Sequence, residues 1–394
     1  MAVRSGAALC GNRSVRARLV VRVGDAMAHI GHVDQDLCPA VVRERICGLA
    51  VAYAAACADG CTAIIETIDR ANAGRNEARR LRARVLSARS LRYHMQFLHC
   101  LAYIFNNPLR HESMITTREL YYSLPIFQSP SACRQILQDV CGALKIARHN
   151  LFVEGSPKGL AIGDMSMEEV RYPSVLEPDA HGQLSEIVKA NGIMHVFADH
   201  PELIVPGMTH RSTAVRTTAQ MVIIVEKEAV FSRFVSGHLH HRMQAILITG
   251  KGVPDMLTRR LIRRLQDLFD LPTYGLFDYN PSGALIMATY KHGSCSSFDS
   301  QFYTCHLRYI GLFWSDLRRF QIGAHAIKEL TARDRSVARS LLHDPAIAAS
   351  DSVRRVISDM LENGVKSDLE ALNDVEFDFV IRFVQRKIFS GEYI

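Results

Sequence analysis

The ten cysteines form no Cys-x-x-Cys pair, so neither a zinc ribbon nor a disulfide framework is implied, and reduced, mostly buried thiols are expected. Long apolar runs are also missing. The most apolar stretch, Ile46 to Cys57, is interrupted by Gly48 and is too short to cross a bilayer. No secretory pattern opens the chain, and these absences together predict a protein that works inside a cell and not in a membrane. A Gly-x-x-x-x-Gly-Lys-Ser/Thr loop is absent too, so any ATP hydrolysis would have to come from a partner chain. Lysine is missing from the first stretch. Met1 to Ser90 holds fourteen Arg and eight Asp or Glu, and 14 minus 8 puts +6 of the chain's formal +7 there. The remainder is nearly neutral, so a nucleic-acid partner has to be argued from specific residues and not from the overall charge.

What is present is ordinary material for a multidomain α/β protein: 394 residues, 48% hydrophobic and 22% charged, enough for two or three cores. Residues 1–90 read as an extension with helices, including an Arg-rich run from Arg70 through Arg79, Arg80, Arg82 and Arg84 to Arg89. A solvated helix face or arm explains that run as readily as DNA contact does. Arg4, Arg13, Arg16, Arg18 and Arg22, all before the first acid at Asp25, also have the look of an organelle-targeting peptide.

Residues 91–165 predict an apolar helix near Met95 to Phe105, one capped by Thr116 or Thr117, and one from Ser131 to Leu144. A strand at Leu151 to Val153, a turn at Ser156 to Gly159 and a second short strand complete them. Three helices with a two-stranded wing make a winged-helix domain, which commonly docks on DNA but also serves as a protein-binding module. Residues 166–220 are a connection, irregular and proline-punctuated from His181 to Arg216. Residues 221–394 then show βαβ grammar, with buried parallel strands at Met221 to Val225, Ala245 to Ile248 and Thr273 to Phe277. An amphipathic helix carries Leu257, Leu261, Leu265 and Leu268 on one face, with Arg259, Arg260, Arg263 and Arg264 beside it. The end, Ser315 to Ile394, is mostly helical by periodicity.

In open parallel sheets, functional groups gather beyond the carboxyl ends of the strands. Glu226 and Asp278 stand at two such ends, which outlines a site for Mg2+, an ion that takes hard oxygen ligands. The plain alternative is a pair of strand-end carboxylates that cap the following helices. Asn280 adds a second oxygen two residues after Asp278. Gly250-Lys251-Gly252 follows the preceding strand, where glycines allow close approach to a phosphate or to the metal-binding loop, and Lys251 is either part of that contact or a surface charge. Arg118 lies four residues before Tyr122 in Thr116-Thr117-Arg118-Glu119-Leu120-Tyr121-Tyr122. On a helix, that spacing sets guanidinium and phenol on one face, where Arg118 could favour the phenolate and clamp a phosphate. An arbitrary Tyr is more often a packing residue.

Thr117 to Tyr122, Ile224-Val225-Glu226-Lys227-Glu228-Ala229, Thr249 to Asp255 and Tyr274 to Gly283, in that order, resemble one family. With Ser156 to Leu160 and Tyr290 to Ser294, the likeness runs from about Leu91 to the C-terminus. The family unites the A-type subunit of archaeal DNA topoisomerase VI with its eukaryotic meiotic relatives (the Spo-eleven family), which start recombination by making double-strand breaks. The resemblance implies a winged-helix domain carrying the nucleophile, Tyr122, and a Toprim domain carrying the metal. It implies a homodimer acting on double-stranded DNA, with the tyrosine of one protomer meeting the metal edge of the other and a 5′-phosphotyrosyl link as product. By the same likeness, Arg118 is the active-site arginine, Glu226 and Asp278 are metal carboxylates, Lys158 is a DNA contact from the wing, and Tyr121 packs beside the nucleophile. A B-type topoisomerase VI-like subunit or another recombination protein is the expected partner of the N-terminal region, and the nucleus the expected compartment. The family often has Asp-x-Asp where this chain has Asp278-Tyr279-Asn280, a neutral ligand that would grip a metal more weakly. Three competing functions are a catalytically weak DNA-binding scaffold, a topoisomerase subunit of vegetative cells, and a Toprim nuclease that activates water.

Overall fold

The structure, a computed structural model, describes residues 37–58, 63–68, 81–169, 174–178, 184–188, 193–209, 214–293, 303–348 and 350–394. The early arginines up to Arg22 and the part of the Arg-rich run from Arg70 to Arg80 lie outside these residues.

Val222 to Val225 and Ile246 to Ile248 are completely buried, as continuous β-branched and apolar runs must be when helices cover both faces of a sheet. They form the middle of a six-stranded sheet in the order Glu202–Leu203, Leu160–Ile162, Ala245–Thr249, Met221–Val225, Thr273–Leu276, Arg308–Tyr309. The last four strands run parallel. Val225 pairs with both Thr249 and Leu276, so three strands end level and the residues that follow them emerge at one edge.

Helices Glu228–Ser236, Met256–Phe269 and Pro281–His292 connect these strands. On Met256–Phe269, Leu257, Leu261 and Leu265 are buried as expected, while Leu268 is exposed. Arg259 and Arg260 are buried with them; Arg259 Nη1 donates to the Thr289 carbonyl at 3.1 Å. The C-terminal region is mainly helical, with Ala332–Leu342, Asp351–Asn363 and Phe379–Phe389 the longest helices. It also contains an antiparallel pair, Ile327–Glu329 with Val365–Ser367, that the periodicity did not announce. Its second strand reaches the sheet edge, where the Ser367 amide donates to the Tyr279 carbonyl at 2.8 Å.

The N-terminal lobe has a separate core. Helices Leu91–Asn106, Thr117–Ser123 and Pro130–Leu144 pool Phe97, Leu101, Ile104, Leu120, Ile136 and Val140. Helix Pro39–Ala58 lays Val42, Ile46 and Leu49 into the same core, so the apolar segment around Ile46 packs within its own chain and still exposes Val41 and Val51.

Two expectations need correction. The wing does not close as a hairpin: Val153–Glu154 pairs in parallel with Ile115–Thr116, and Leu160–Ile162 crosses to the main sheet beside Ala245–Thr249. Asp255 Oδ2 draws it there by accepting the amides of Lys158 at 2.9 Å and Gly159 at 3.3 Å. Ala161 and Ile162 become fully buried, which a two-stranded wing could not provide. The stretch expected to be irregular also carries strands. Met165–Glu169 pairs with Val215–Thr217 and Ile193–Val196, and Ser174–Pro178 pairs with Leu184–Val188. These strands are five residues long or shorter, and the buried Met165 and Met167 give too brief an alternation to stand out among polar neighbours. Among the described cysteines, Cys100, Cys133, Cys141 and Cys305 are buried and Cys38, Cys47 and Cys57 exposed, all of them free.

Candidate functional site

Tyr122 stands on the last turn of helix Thr117–Ser123, a seven-residue helix too short to persist by propensity alone. Its ends are therefore tied down. At the start, Glu119 N–H donates to Thr116 Oγ1 at 3.0 Å and Thr116 N–H donates to Glu119 Oε2 at 2.8 Å, a reciprocal capping box. Thr117 Oγ1 donates to the Glu154 carbonyl at 3.0 Å, and Tyr103 Oη donates to Ser123 Oγ at the far end, also at 3.0 Å. Leu120 is buried in the core, so rotation about the helix axis is fixed as well.

This frame turns Tyr122 outward, with 67% of its surface exposed. The packing role expected of an ordinary Tyr goes to Tyr121, which packs partly buried against the core with its ring centre 5.2 Å from that of Tyr122 and tilted by 55°. The Arg118 guanidinium carbon lies 5.8 Å from the Tyr122 ring centre, on the helix face that the four-residue spacing predicted. That places a permanent cation beside the phenol.

The second half of the site is the carboxyl edge of the sheet. Glu226 leaves Met221–Val225 and is buried; its Oε2 accepts the Asp278 amide at 2.8 Å, which brings together the two acids predicted to meet. Asp278 is buried as well. Its Oδ1 accepts the Leu369 amide at 2.9 Å and its Oδ2 pairs with Lys227 Nζ at 2.9 Å. Burial, reinforced by the Asp278 carboxylate, raises the Glu226 carboxyl to about 7. Asp278 is likewise raised by burial, against the opposing pull of the Leu369 amide and Lys227. Burial works against the charge of Lys227, yet its hydrogen bonds to Glu370 and Asp278 hold it protonated. Two buried acids that resist ionising together, with a cation already drawn to one of them, form a donor set that suits a hard divalent ion.

Asn280 caps helix Pro281–His292: its Oδ1 accepts the Gly283 amide at 2.8 Å, and its Nδ2 donates to Asp368 Oδ1 at 3.2 Å. The turn is tight enough that a Cβ on Gly283 would meet the Asp278 carbonyl oxygen at 2.4 Å, so only glycine fits. Asp368 was not anticipated. It arrives on the chain after the Val365–Ser367 strand, far away in sequence, and no spacing signal could have pointed to it. Lys227 was visible beside Glu226, but its partners Asp278 and Glu370 were not.

The two lysines expected to touch DNA are both engaged. Lys158 Nζ donates to the carbonyls of Val253 at 2.6 Å and Lys251 at 3.4 Å, which ties it to the glycine loop. Lys251, at φ 51° in the left-handed region, pairs with Glu228 Oε1 at 2.9 Å. The same loop returns to the carboxylate edge, where the Gly252 amide donates to the Glu226 carbonyl at 2.9 Å. Among the described residues, the contacts of Tyr122 are its helix neighbours and include none of the edge carboxylates.

Comparison with known proteins matches residues 221–388 to the Toprim domain of the topoisomerase 6 A-type subunit and Spo11, and residues 92–153 to "Type IIB DNA topoisomerase". The chain is 33% identical over 296 residues to the meiotic recombination protein SPO11-2 of Oryza sativa subsp. indica, covering 71% of this chain and 70% of that one. It is 31% identical over 284 residues to the meiotic recombination protein SPO11 of Homo sapiens, with 71% and 67% covered. With the meiotic recombination protein W68 of Drosophila melanogaster it shares 33% identity over 283 residues, covering 70% and 77%.

Proposed function

The chain belongs to the family of Spo11 and the A-type subunits of topoisomerase VI, and from that premise we propose that it cuts duplex DNA by transesterification and so initiates meiotic recombination. Tyr122 Oη forms a bond to a backbone phosphorus while the bond from that phosphorus to the 3′ oxygen breaks. The phenol gives up its proton and the departing 3′ oxygen takes one up, leaving a 5′-phosphotyrosyl link and a 3′ hydroxyl. One phosphodiester replaces another, so the cut itself consumes no ATP.

The observation that carries this reading is the outward presentation of Tyr122, 67% exposed, on a helix fixed at both ends with Arg118 beside it. Arg118 is placed to neutralise a phosphate as its charge develops. Toprim domains as a class bind divalent metal ions, and Mg2+ is the ion that an all-oxygen edge suits. Glu226 and Asp278 would hold it, and Asn280 would add the second lone pair of an amide oxygen that already caps Gly283. When bound, the ion supplies charge neutralisation at the scissile phosphate.

The working unit in this proposal is a homodimer in which Tyr122 of one protomer serves the metal edge of its partner, since each chain offers both halves of the site. A B-type subunit or another recombination protein would dock on the N-terminal region, where helix Pro39–Ala58 leaves Val41 and Val51 exposed. Lys251 would reach the DNA backbone by exchanging Glu228 for a phosphate, and Lys158 would act through the loop that it ties down. The expected compartment is the nucleus, where chromosomal DNA lies.

The test is incubation of the full chain and its partner with end-labelled duplex and Mg2+, followed by isolation of protein covalently joined to 5′ ends. Tyr122→Phe should abolish the adduct while leaving the fold intact. An adduct that survives this change would refute the assignment of Tyr122, and free 5′ phosphates would favour a water-activating nuclease. Binding without any cutting would favour the scaffold function, which the engagement of the Asn280 oxygen in a helix cap also supports.

A further inference from the structure

The sequence His238-Leu239-His240-His241 joins helix Glu228–Ser236 to strand Ala245–Thr249, with a short helix, Leu239–Arg242, between them. In the folded chain one nitrogen from each of the three imidazoles lies within 4.8 Å of the other two. The rings of His240 and His241 are 4.1 Å apart between centres, and His238 stands 6.2 Å from each. We propose that His238, His240 and His241 form a second metal site, separate from the carboxylate edge and suited to a borderline divalent ion such as Zn2+.

Position separates the two sites. Glu226 follows the carboxyl end of Met221–Val225, whereas the histidines precede the amino end of the parallel strand Ala245–Thr249. The sheet lies between them. Chemistry separates them too. Three imidazoles select Zn2+, Ni2+ or Cu2+ over Mg2+, which prefers oxygen, and three histidines with the remaining position open to water are an established zinc arrangement.

His240 is the member that a bland explanation fits least well. It is buried, and its Nδ1 has no hydrogen-bond partner among the described residues, which leaves a ring nitrogen for an ion to engage. His238 and His241 are exposed and free to close by the ångström or so that separates the present spacing from coordination.

The experiment strips the full-length protein of metal with a chelator, removes the chelator, and titrates Zn2+ or Co2+ in excess Mg2+. One equivalent should bind despite the Mg2+, and Co2+ should show the visible absorption of a nitrogen-ligated ion. His238→Ala/His241→Ala changes only exposed rings, so the fold should persist, and affinity should fall by at least ~10-fold, the smallest loss usual even for groups that only orient a ligand. Glu226→Gln should leave the binding unchanged, which makes the result independent of DNA cleavage. Affinity unaltered in the double histidine variant would overturn the proposal, as would binding that excess Mg2+ abolishes.

Discussion

Lys227 Nζ lies 2.9 Å from Asp278 Oδ2 and 2.7 Å from Glu370 Oε2, so the carboxylate edge carries its own cation. Among the described residues Glu226 has no such ion pair, and burial together with Asp278 leaves its carboxyl at about 7. It must lose that proton to hold a metal ion. Divalent-ion affinity should therefore rise with pH up to about 7 and level off above it, with up to ~10-fold lost per unit below. The sign for stability is opposite. The folded carboxyl titrates above the unfolded value of ~4.3, so the metal-free protein holds a proton that the unfolded chain releases. Its stability should be full below ~4.3 and decline as pH rises toward about 7. Titration calorimetry with Mn2+ across this range, paired with denaturant unfolding in chelator, checks both; affinity independent of pH would remove Glu226 from the ligand set.

Asn280 offers a second test, because its two side-chain atoms are both occupied. Asn280→Ala loses the cap on Gly283 and should cost about 1 kcal/mol of stability. Asn280→Asp keeps the cap but sets a carboxylate against Asp368 Oδ1, where the amide now donates at 3.2 Å. Without metal it should be destabilised by roughly 1 kcal/mol, and added Mg2+ or Mn2+ should restore more than it does for the native chain. If Asn280→Asp binds metal no more tightly, position 280 is not a ligand.

The unequal legibility of the two half-sites has a physical cause. Glu226 and Asp278 follow continuous apolar strands, and the rule that such strands are parallel and end at a common edge is strong enough to pair them across 52 residues. Tyr122 has no such signature, since its exposure depends on which way a seven-residue helix is turned by Leu120 and its caps. Spacing alone set Arg118 and Tyr122 on one helix face, whereas a catalytic role for either rested on that spacing together with the family likeness. Asp368 and the crossing of Leu160–Ile162 depend on contacts between distant segments, which no local periodicity encodes.

The capping box at Thr116 should matter more to catalysis than its size suggests. Thr116→Ala removes the acceptor for the Glu119 amide and should cost ~1 kcal/mol, within the usual range of 0.5–2. Because helix Thr117–Ser123 cannot stand without its ends, the loss should appear as fraying around Tyr122 and a several-fold lower yield of covalent DNA adduct. Thr116→Ser retains the acceptor oxygen and should restore adduct yield; hydrogen exchange of the Glu119 to Tyr122 amides would report the fraying directly. Equal adduct yields for Ala and Ser would mean that the cap does not position Tyr122.

Arg260 and Glu154 join the two halves of the site. Arg260 Nη1 meets Glu154 Oε1 at 3.3 Å, with the side chains only 8% and 3% exposed, and Nη2 donates to the Thr209 carbonyl. Glu154 also presents its carbonyl to Thr117 at the start of the tyrosine helix, so one residue touches both the support of Tyr122 and the sheet's longest helix. Arg260→Leu takes one cation away from a buried carboxylate and should cost up to ~3–5 kcal/mol. Replacing both residues with Leu removes that carboxylate as well and should recover part of the loss, so the two changes should be non-additive. Urea unfolding of the two single variants and the double variant measures the coupling. Additive costs would show that the pair does not act as a unit.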